Sequence, residues 1–196
     1  MLRTLPVLQS LARLLEPRGI PYFVHGGRAA KEYGLSRCPQ DVDVSIGLEP
    51  TELGLARRWV QLMGWRVLDR DPWVLQGRAP HVWSFDPESH VKVDVALTFM
   101  QFQRNAMQRA RRVMIGSLPV RFATVEDVIV LKICGWRAQD IADVRELMNR
   151  SPQLDRARVR EGLQEVGRDL SRSFINRWET FLREISLRPL DGRRAL

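Results

Sequence analysis

The stretch GGRAAKEYGLSRCPQDVDVSI, residues 26–46, decides how this chain folds. Its paired glycines end an apolar run, IPYFVH, which predicts a short buried strand over residues 20–25. Residues 28–34 suit a short helix, with Gly34 just past its end. From residue 41 the side chains alternate between polar and apolar, which is typical of a strand with one buried face.

The polar face of that second strand carries two carboxylates, Asp41 and Asp43. Side chains two residues apart on a strand point the same way. At ~5 Å and an effective dielectric constant of ~20, two such charges repel by about 3 kcal/mol. Either this face is solvated or paired with arginines, or a divalent cation such as Mg²⁺ or Mn²⁺ lies between the carboxylates.

A later segment, HVKVDVAL, repeats this pattern. Its valines form one face, and Asp94 lies on the other face between Lys92 and Ala96. If this strand neighbours the Asp41/Asp43 strand, three carboxylates converge. Clustered carboxylates holding two metal ions are a known arrangement for phosphoryl transfer.

The remaining pattern predicts an α+β protein, a mixed sheet with flanking helices followed by a C-terminal helical region. We place the core at residues 1–122 and the helical region at 123–196. In the core, the sequence predicts a helix over residues 7–15 stopped by Pro17 and Gly19, a helix N-capped by Thr51 and a strand WRVLD. It also predicts two hairpins there, HVWSF–DPES–VKVDVALTF and VMIG with PVRF. In the C-terminal region it predicts a helix with a Thr124/Asp127 capping box, a helix IADVRELM ended by Ser151 and Pro152, and two helices over about 155–166 and 171–186.

Charge is distributed unevenly along the chain. The net charge is +8; residues 1–100 hold 12 basic and 11 acidic residues, and residues 101–196 hold 19 and 12. A basic half favours a polyanionic partner, with RNA or DNA first. Only three of the basic residues are lysines, so the bias could equally reflect genomic base composition. The sequence shows neither a signal peptide nor a membrane anchor, which predicts a cytoplasmic protein with reduced cysteines.

The order FVHGG, thirteen intervening residues, DVDV and then VKVDV resembles the nucleotidyltransferase superfamily of polymerase-β type. A closer resemblance is to the nucleotidyltransferase toxins of bacterial abortive-infection and toxin–antitoxin systems. Pro39 and Arg28 depart from that pattern, where Thr and a small or apolar residue are usual. The residues that carry the closer resemblance are Gly26, Gly27, Ala29, Gly34, Arg37, Asp41, Asp43, Lys132, Arg137, Asp140 and Asp143.

The resemblance implies roles for six of these residues and for Asp94. Asp41, Asp43 and Asp94 would be catalytic and hold Mg²⁺. The nucleotide-binding residues would be Gly26, Gly27, Arg37 and Lys132, with the glycines cradling the triphosphate.

Alternatives remain for the other charged residues of the motif. Arg37 could instead be a turn residue paired with a carboxylate, and Lys132 a lysine whose amine reaches water from an amphipathic helix. Asp140 could be an N-cap and Asp143 a salt-bridge partner. His25 suits a buried, hydrogen-bonded histidine, and His81 and His90 show no ligand spacing.

The activity that the resemblance implies is Mg²⁺-dependent transfer of NMP from an NTP to an acceptor, with release of pyrophosphate. The acceptor would be RNA, most simply a tRNA 3′ end, and the protein would be a toxin with an antitoxin partner. The alternatives are a protein hydroxyl, an aminoglycoside- or lincosamide-like small molecule, or an inactive RNA-binding module. On the RNA hypothesis, the arginines expected to line its approach are Arg104, Arg109, Arg111, Arg112, Arg156, Arg158 and Arg160.

Overall fold

The computed structural model describes residues 2–68, 80–170 and 173–187. Within these ranges the helices are α1 (Leu5–Leu15), α2 (Gly26–Glu32), α3 (Leu53–Leu62), α4 (Gln101–Arg109), α5 (Val125–Gly135), α6 (Ala138–Arg150), α7 (Arg156–Asp169) and α8 (Ile175–Leu187). The strands are β1 (Tyr22–His25), β2 (Asp41–Ile46), β3 (Arg66–Val67), β4 (His81–Asp86), β5 (Val91–Leu97), β6 (Arg111–Ile115) and β7 (Leu118–Phe122). No helix in the same ranges is long and apolar enough to cross a bilayer.

The strands form one mixed sheet in the order β3-β4-β5-β2-β1-β7-β6. β2 pairs antiparallel with β1 and parallel with β5. β1 also pairs parallel with β7. The two strands that carry carboxylates are therefore direct neighbours in the centre of the sheet, and the predicted α+β class is confirmed.

Local sequence signals account for most element boundaries. α1 buries Val7, Leu8, Leu11 and Leu15, which share one helical face. It is followed by a 3₁₀ turn and then Gly19, whose φ of 62° is in the left-handed region. At the start of α5, the Thr124 side chain accepts a hydrogen bond from the amide of Asp127, as the capping box predicts.

The observed elements differ from the expected ones at three places. α4 was not predicted, because its sequence QFQRNAMQR is mostly polar and its buried Phe102, Ala106 and Met107 are too few for a clear period. Thr51 is not an N-cap; it lies inside a 3₁₀ turn, Pro50–Glu52, and α3 begins two residues later. The strand WRVLD is only two residues long, and Asp69 lies outside the described ranges.

The C-terminal helices pack on the sheet domain and on one another. α5 contacts α2, α6 and α7, and α7 also contacts α4. α8 is tied to α5 by Arg177, whose Nη1 donates to the carbonyl oxygens of Ile133 and Cys134 at 3.3 and 2.7 Å. The final predicted helix begins at residue 175 rather than 171, and residues 171–172 lie outside the described ranges. A domain boundary at 122/123 stays a prediction.

The two faces of the central strands differ in character. Val42, Val44, Val93 and Val95 point into the core and are buried. Because side chains alternate along a strand, Asp41, Asp43 and Asp94 lie on the opposite face.

Candidate active site

The three carboxylates predicted from sequence lie on adjoining strands. In the parallel β2–β5 ladder, Asp43 is directly opposite Asp94, and Asp41 is opposite Lys92. On its other side, Asp43 is opposite His25 of β1. The expectation that the two acidic strands are neighbours is therefore confirmed.

Gly26 is explained by its contact with Asp43. Its φ is 60°, and a Cβ built on it would lie 1.8 Å from Asp43 Oδ2. Only glycine leaves room for that carboxylate at this turn. Gly27 has no positive φ, and its Cβ would lie 3.1 Å from Arg37 Nη2. A role of both glycines in cradling a triphosphate stays a prediction.

The charge repulsion expected from the sequence is visible in the pKa of Asp43. Burial of this carboxyl, together with the neighbouring charges of Asp41 and Asp94, raises its pKa to about 7 against the opposing effect of Lys132 and Arg137. A divalent cation would remove this penalty by compensating the charge, and carboxylate oxygens are the ligands that Mg²⁺ prefers. Asp41 and Asp43 therefore offer suitable oxygen ligands for such an ion.

Asp94 has a partner that the sequence did not reveal. Its Oδ1 lies 2.5 Å from His81 Nδ1. His81 is opposite Ala96 in the β4–β5 hairpin, two residues from Asp94 on the same face. Within residues 2–68, 80–170 and 173–187, no three potential ligand side chains stand close enough together to hold a metal ion. The strand register therefore brings the carboxylates side by side, while Asp94 itself contacts His81.

His25 is a partly buried histidine beside the carboxylates. Burial lowers its pKa to about 4, so the ring is neutral near pH 7. Its Nε2 lies 3.3 Å from Ser45 Oγ. The hydrogen bond agrees with the histidine inferred from sequence, but the side chain is only partly buried and lines the cleft described below.

A cleft of about 430 Å³ opens beside Asp41 and Asp43. One wall is the carboxylate edge of the sheet and the paired glycines. The second wall, here called the basic wall, comes from α5, α6, the loop before β2 and a residue between the two helices, and its charged lining residues are three basic side chains and one carboxylate. The cleft is lined by His25, Gly26, Gly27, Arg37, Asp41, Asp43, Leu131, Lys132, Arg137, Gln139 and Asp140.

Arg37 and Lys132 meet at Asp143 on that second wall. Arg37 donates Nε to Asp143 Oδ1 at 2.9 Å and Nη2 to Oδ2 at 2.6 Å. Lys132 Nζ is buried and donates to Asp143 Oδ2 at 2.6 Å and to Asp140 Oδ1 at 3.4 Å. Arg37 thus pairs with a carboxylate, which was one of its two alternatives, and the amine of Lys132 does not reach water. A phosphate contact by either residue stays a prediction.

Asp140 and Asp143 have structural partners as well. Asp140 is the third residue of α6, and its side chain accepts a hydrogen bond from the backbone amide of Arg137 at 3.2 Å. It is therefore the N3 residue of a capping box, and the N-cap itself is Arg137. Burial would raise the pKa of Asp143, but hydrogen bonds from Arg37, Lys132 and Gln139 outweigh it and lower the pKa to about 2. Both aspartates are therefore ionised and hold the basic wall together.

The unusual arginine after the paired glycines is part of the core. Arg28 is buried, its Nη1 lies 2.6 Å from Glu32 Oε1, and its guanidinium stacks over the Phe122 ring at 5.4 Å. Arg28 is not one of the cleft-lining residues and is accommodated by packing.

Four of the seven arginines expected to approach RNA are paired with carboxylates of the chain itself. Arg111, Arg112 and Arg156 are exposed. The structure therefore gives little support to an RNA path along these seven side chains. The paired ones are Arg104 with Glu49, Arg109 with buried Asp127, Arg158 with Glu161 and Glu165, and Arg160 with Glu179.

Comparison with solved structures identifies the architecture. The antibiotic-resistance factor ANT(2'')-Ia in solution is similar with a TM-score of 0.57 and 15% identity, over 94% of this chain and 98% of that one. The chain has a nucleotidyltransferase-like fold. A complex of ANT(2'')-Ia with adenylyl-2''-tobramycin is similar with a TM-score of 0.56 and 16% identity, over 89% and 98% of the two chains.

A nucleotidyltransferase-like protein supports the same assignment of the fold. This antigenic protein from Paracoccidioides brasiliensis is similar with a TM-score of 0.54 and 15% identity, over 85% of this chain and 88% of that one. No family model matches the sequence, and no curated protein matches it significantly.

Proposed function

We propose that this protein is a metal-dependent nucleotidyltransferase that moves NMP from an NTP to an acceptor hydroxyl. The observation that carries the proposal is the pairing of Asp43 with Asp94 on neighbouring parallel strands, two residues from Asp41, beside a cleft with a basic opposite wall. The fold supports it, since a structure with the same architecture is a complex with the adenylylated product adenylyl-2''-tobramycin.

Asp41, Asp43 and Asp94 would hold Mg²⁺ or Mn²⁺. The bound ion would supply positive charge against the phosphoryl oxygens and the departing pyrophosphate. The raised pKa of Asp43 supports this assignment, because a bound cation offsets both the burial and the repulsion that raise it.

The chemistry is a displacement at phosphorus. The acceptor oxygen forms a bond to the α-phosphorus, and the bond from that phosphorus to the bridging oxygen breaks. Pyrophosphate leaves with the bonding electron pair. The proton of the acceptor hydroxyl passes to the carboxylate of Asp94, which His81 Nδ1 holds in place through Oδ1.

The basic wall would position the triphosphate. Arg37, Lys132 and Arg137 carry three positive charges against the two negative charges of Asp140 and Asp143. Arg37 is partly exposed and lines the cleft, so its guanidinium is available to phosphate oxygens. Lys132 would act through the surplus charge of this cluster, and Gly26 and Gly27 would allow the phosphates to approach the backbone.

For the acceptor we propose RNA, with a tRNA 3′ end as the specific candidate. The positive net charge of the chain supports a polyanionic acceptor. A toxin role with an antitoxin partner in the cytoplasm belongs to the same proposal and rests on the sequence resemblance. A small-molecule acceptor is the second candidate, because ANT(2'')-Ia is an antibiotic-resistance factor with the same fold.

The test is a transfer assay with each α-labelled NTP, Mg²⁺ and one acceptor at a time. We expect label to enter RNA, and Asp43→Asn to abolish transfer because an amide cannot compensate the ion's charge. Glu88→Gln, which removes an exposed carboxylate, is the matched control. Full activity of Asp43→Asn, or no product with RNA, protein or tobramycin, would show that the proposal is wrong.

A further inference from the structure

The face that carries the carboxylates continues across the sheet into β4 and β3. Cα partners in adjacent strands place Asp41 opposite Lys92, Lys92 opposite Phe85, and Phe85 opposite Arg66. Residues directly opposite each other in a sheet share a face. Two cations and an aromatic ring thus follow Asp41 in one row.

A parallel row begins at Asp43. It continues through Asp94 on β5 to Trp83 on β4. The Trp83 ring is stacked on His81, with centroids 5.8 Å apart and an interplanar angle of 16°. His81 is also the residue that contacts Asp94. A flat aromatic surface therefore lies on the strand next to the carboxylate proposed to take the proton, and the backbones of the two strands are about 5 Å apart.

The surface formed by Arg66, Trp83, Phe85 and Lys92, here called the acceptor face, is partly exposed to solvent. On the other face of β4, Val82, Ser84 and Asp86 are buried. Trp83 and Phe85, by contrast, are only partly buried, and Arg66 and Lys92 are exposed.

The two cations of the acceptor face, Arg66 and Lys92, form no ion pair with any residue in the described ranges. Four arginines on α4 and α7 differ in this respect, because Arg104, Arg109, Arg158 and Arg160 are paired.

We infer that the acceptor face binds the end of a single-stranded RNA, with bases stacked on Trp83 and Phe85 and phosphates at Arg66 and Lys92. Aromatic rings interleaved with cations bind single strands because every base has a stacking face and every linkage carries a negative charge. Stacking beside Asp94 would place a terminal hydroxyl near the carboxylates. A polycationic acceptor would be repelled by the same two cations.

This inference rests on the proposed function and gives the acceptor a location other than the basic C-terminal half. It is tested by binding, which needs no turnover. Full-length Asp43→Asn protein is titrated with a short, 5′-fluorescein-labelled single-stranded RNA of mixed sequence at several salt concentrations. In this background, Trp83→Leu is expected to weaken RNA binding about tenfold or more. Trp83→Phe, which keeps an aromatic face, should retain most of the affinity.

The cations are tested through the salt dependence. Arg66→Gln and Lys92→Gln should each reduce the slope of log K against log salt by about 0.7, the contribution of one phosphate contact to a single strand. Arg58→Gln, at an exposed arginine of α3, should leave it unchanged. Thermal unfolding of every variant identifies any loss of fold, and the comparison of Leu with Phe at residue 83 remains valid if one variant is less stable.

Three results would overturn the inference: equal RNA affinity of Trp83→Leu and the parent, equally strong competition by inorganic polyphosphate, which has no bases, or binding of tobramycin but not RNA. Failure of the proposed function gives a different result. In that case wild-type protein transfers NMP to no acceptor, while the RNA titrations of the variants still separate as expected.

Discussion

Replacement of Asp43 by Asn should stabilise the metal-free protein, by an amount that grows with pH. Burial and the charges of Asp41 and Asp94 raise the pKa of Asp43 to about 7, against an ordinary value of 3.8. Between these two values the folded state keeps a proton that the unfolded state has lost. Because the folded state binds more protons, stability falls as pH rises from about 4 to about 7 and is constant above that.

The size of the effect follows from this difference in pKa. At about 1.4 kcal/mol per pH unit, the ionised carboxylate costs at most about 4 kcal/mol above pH 7. Asp43 is not fully buried, and dissolved counterions screen it, so we expect roughly 1–2 kcal/mol. For a chain of this length, that corresponds to a rise in Tm of about 2–8 °C. Asn has nearly the shape of Asp and fits the same space above Gly26.

The assay is urea unfolding in EDTA at pH values from about 4 to 8, with Glu88→Gln as the control. The stability gain of Asp43→Asn should be small near pH 4, rise to about pH 7 and then stay level, whereas the control should show no such rise. Mg²⁺ should stabilise the wild type at pH 8 but not Asp43→Asn, and its affinity should fall about tenfold for each pH unit below 7, because binding displaces a proton. A gain that is the same at every pH, or a loss of stability at pH 8, would refute this reasoning.

Two further substitutions test the surroundings of the carboxylates. Gly26→Ala should cost about 1–3 kcal/mol for its positive φ and should also abolish stabilisation by Mg²⁺, because the new Cβ meets Asp43 Oδ2. Gly19→Ala, with the same φ and nothing within 4 Å, should show only the first effect in the same unfolding assay. Lys132→Met should lower the free energy of unfolding by about 3–5 kcal/mol, because the buried carboxylates of Asp140 and Asp143 lose the amine that pairs with them. Lys92→Met, at an exposed lysine, is the control. An equal loss of stability in this control would contradict the explanation by a buried ion pair.

Much of the candidate site could be predicted from sequence because its signals are local. Alternation along DVDVSI and VKVDVAL places the acids opposite the buried valines whatever the strand order. The paired glycines mark a turn that needs unusual backbone freedom. In the structure, Gly26 is the one of the two that has a positive φ. The predicted helices and hairpins have clear apolar periods or turn residues, and α4, which has neither, was missed.

The partners of the charged residues could not be predicted in the same way. The pairing of Arg37 with Asp143 joins positions 106 residues apart. Arg109 carries the positive charge that suggested RNA, but buried Asp127 neutralises it. A count of charges along the chain contains no information about such pairs, because they depend on how α5 and α6 pack against the loop before β2.

The sequence by itself determined the carboxylate strands, the glycine turn and the class of fold, because each depends on the spacing of neighbouring residues. Only the tertiary structure decided that β2 lies between β1 and β5, which places Asp43 opposite Asp94 and raises its pKa. Strand order and register also bring His81 into contact with Asp94 and align the row of residues from Asp41 to Arg66. Strand order and register are set by burying one continuous apolar face, a property of the whole sheet that no single segment contains.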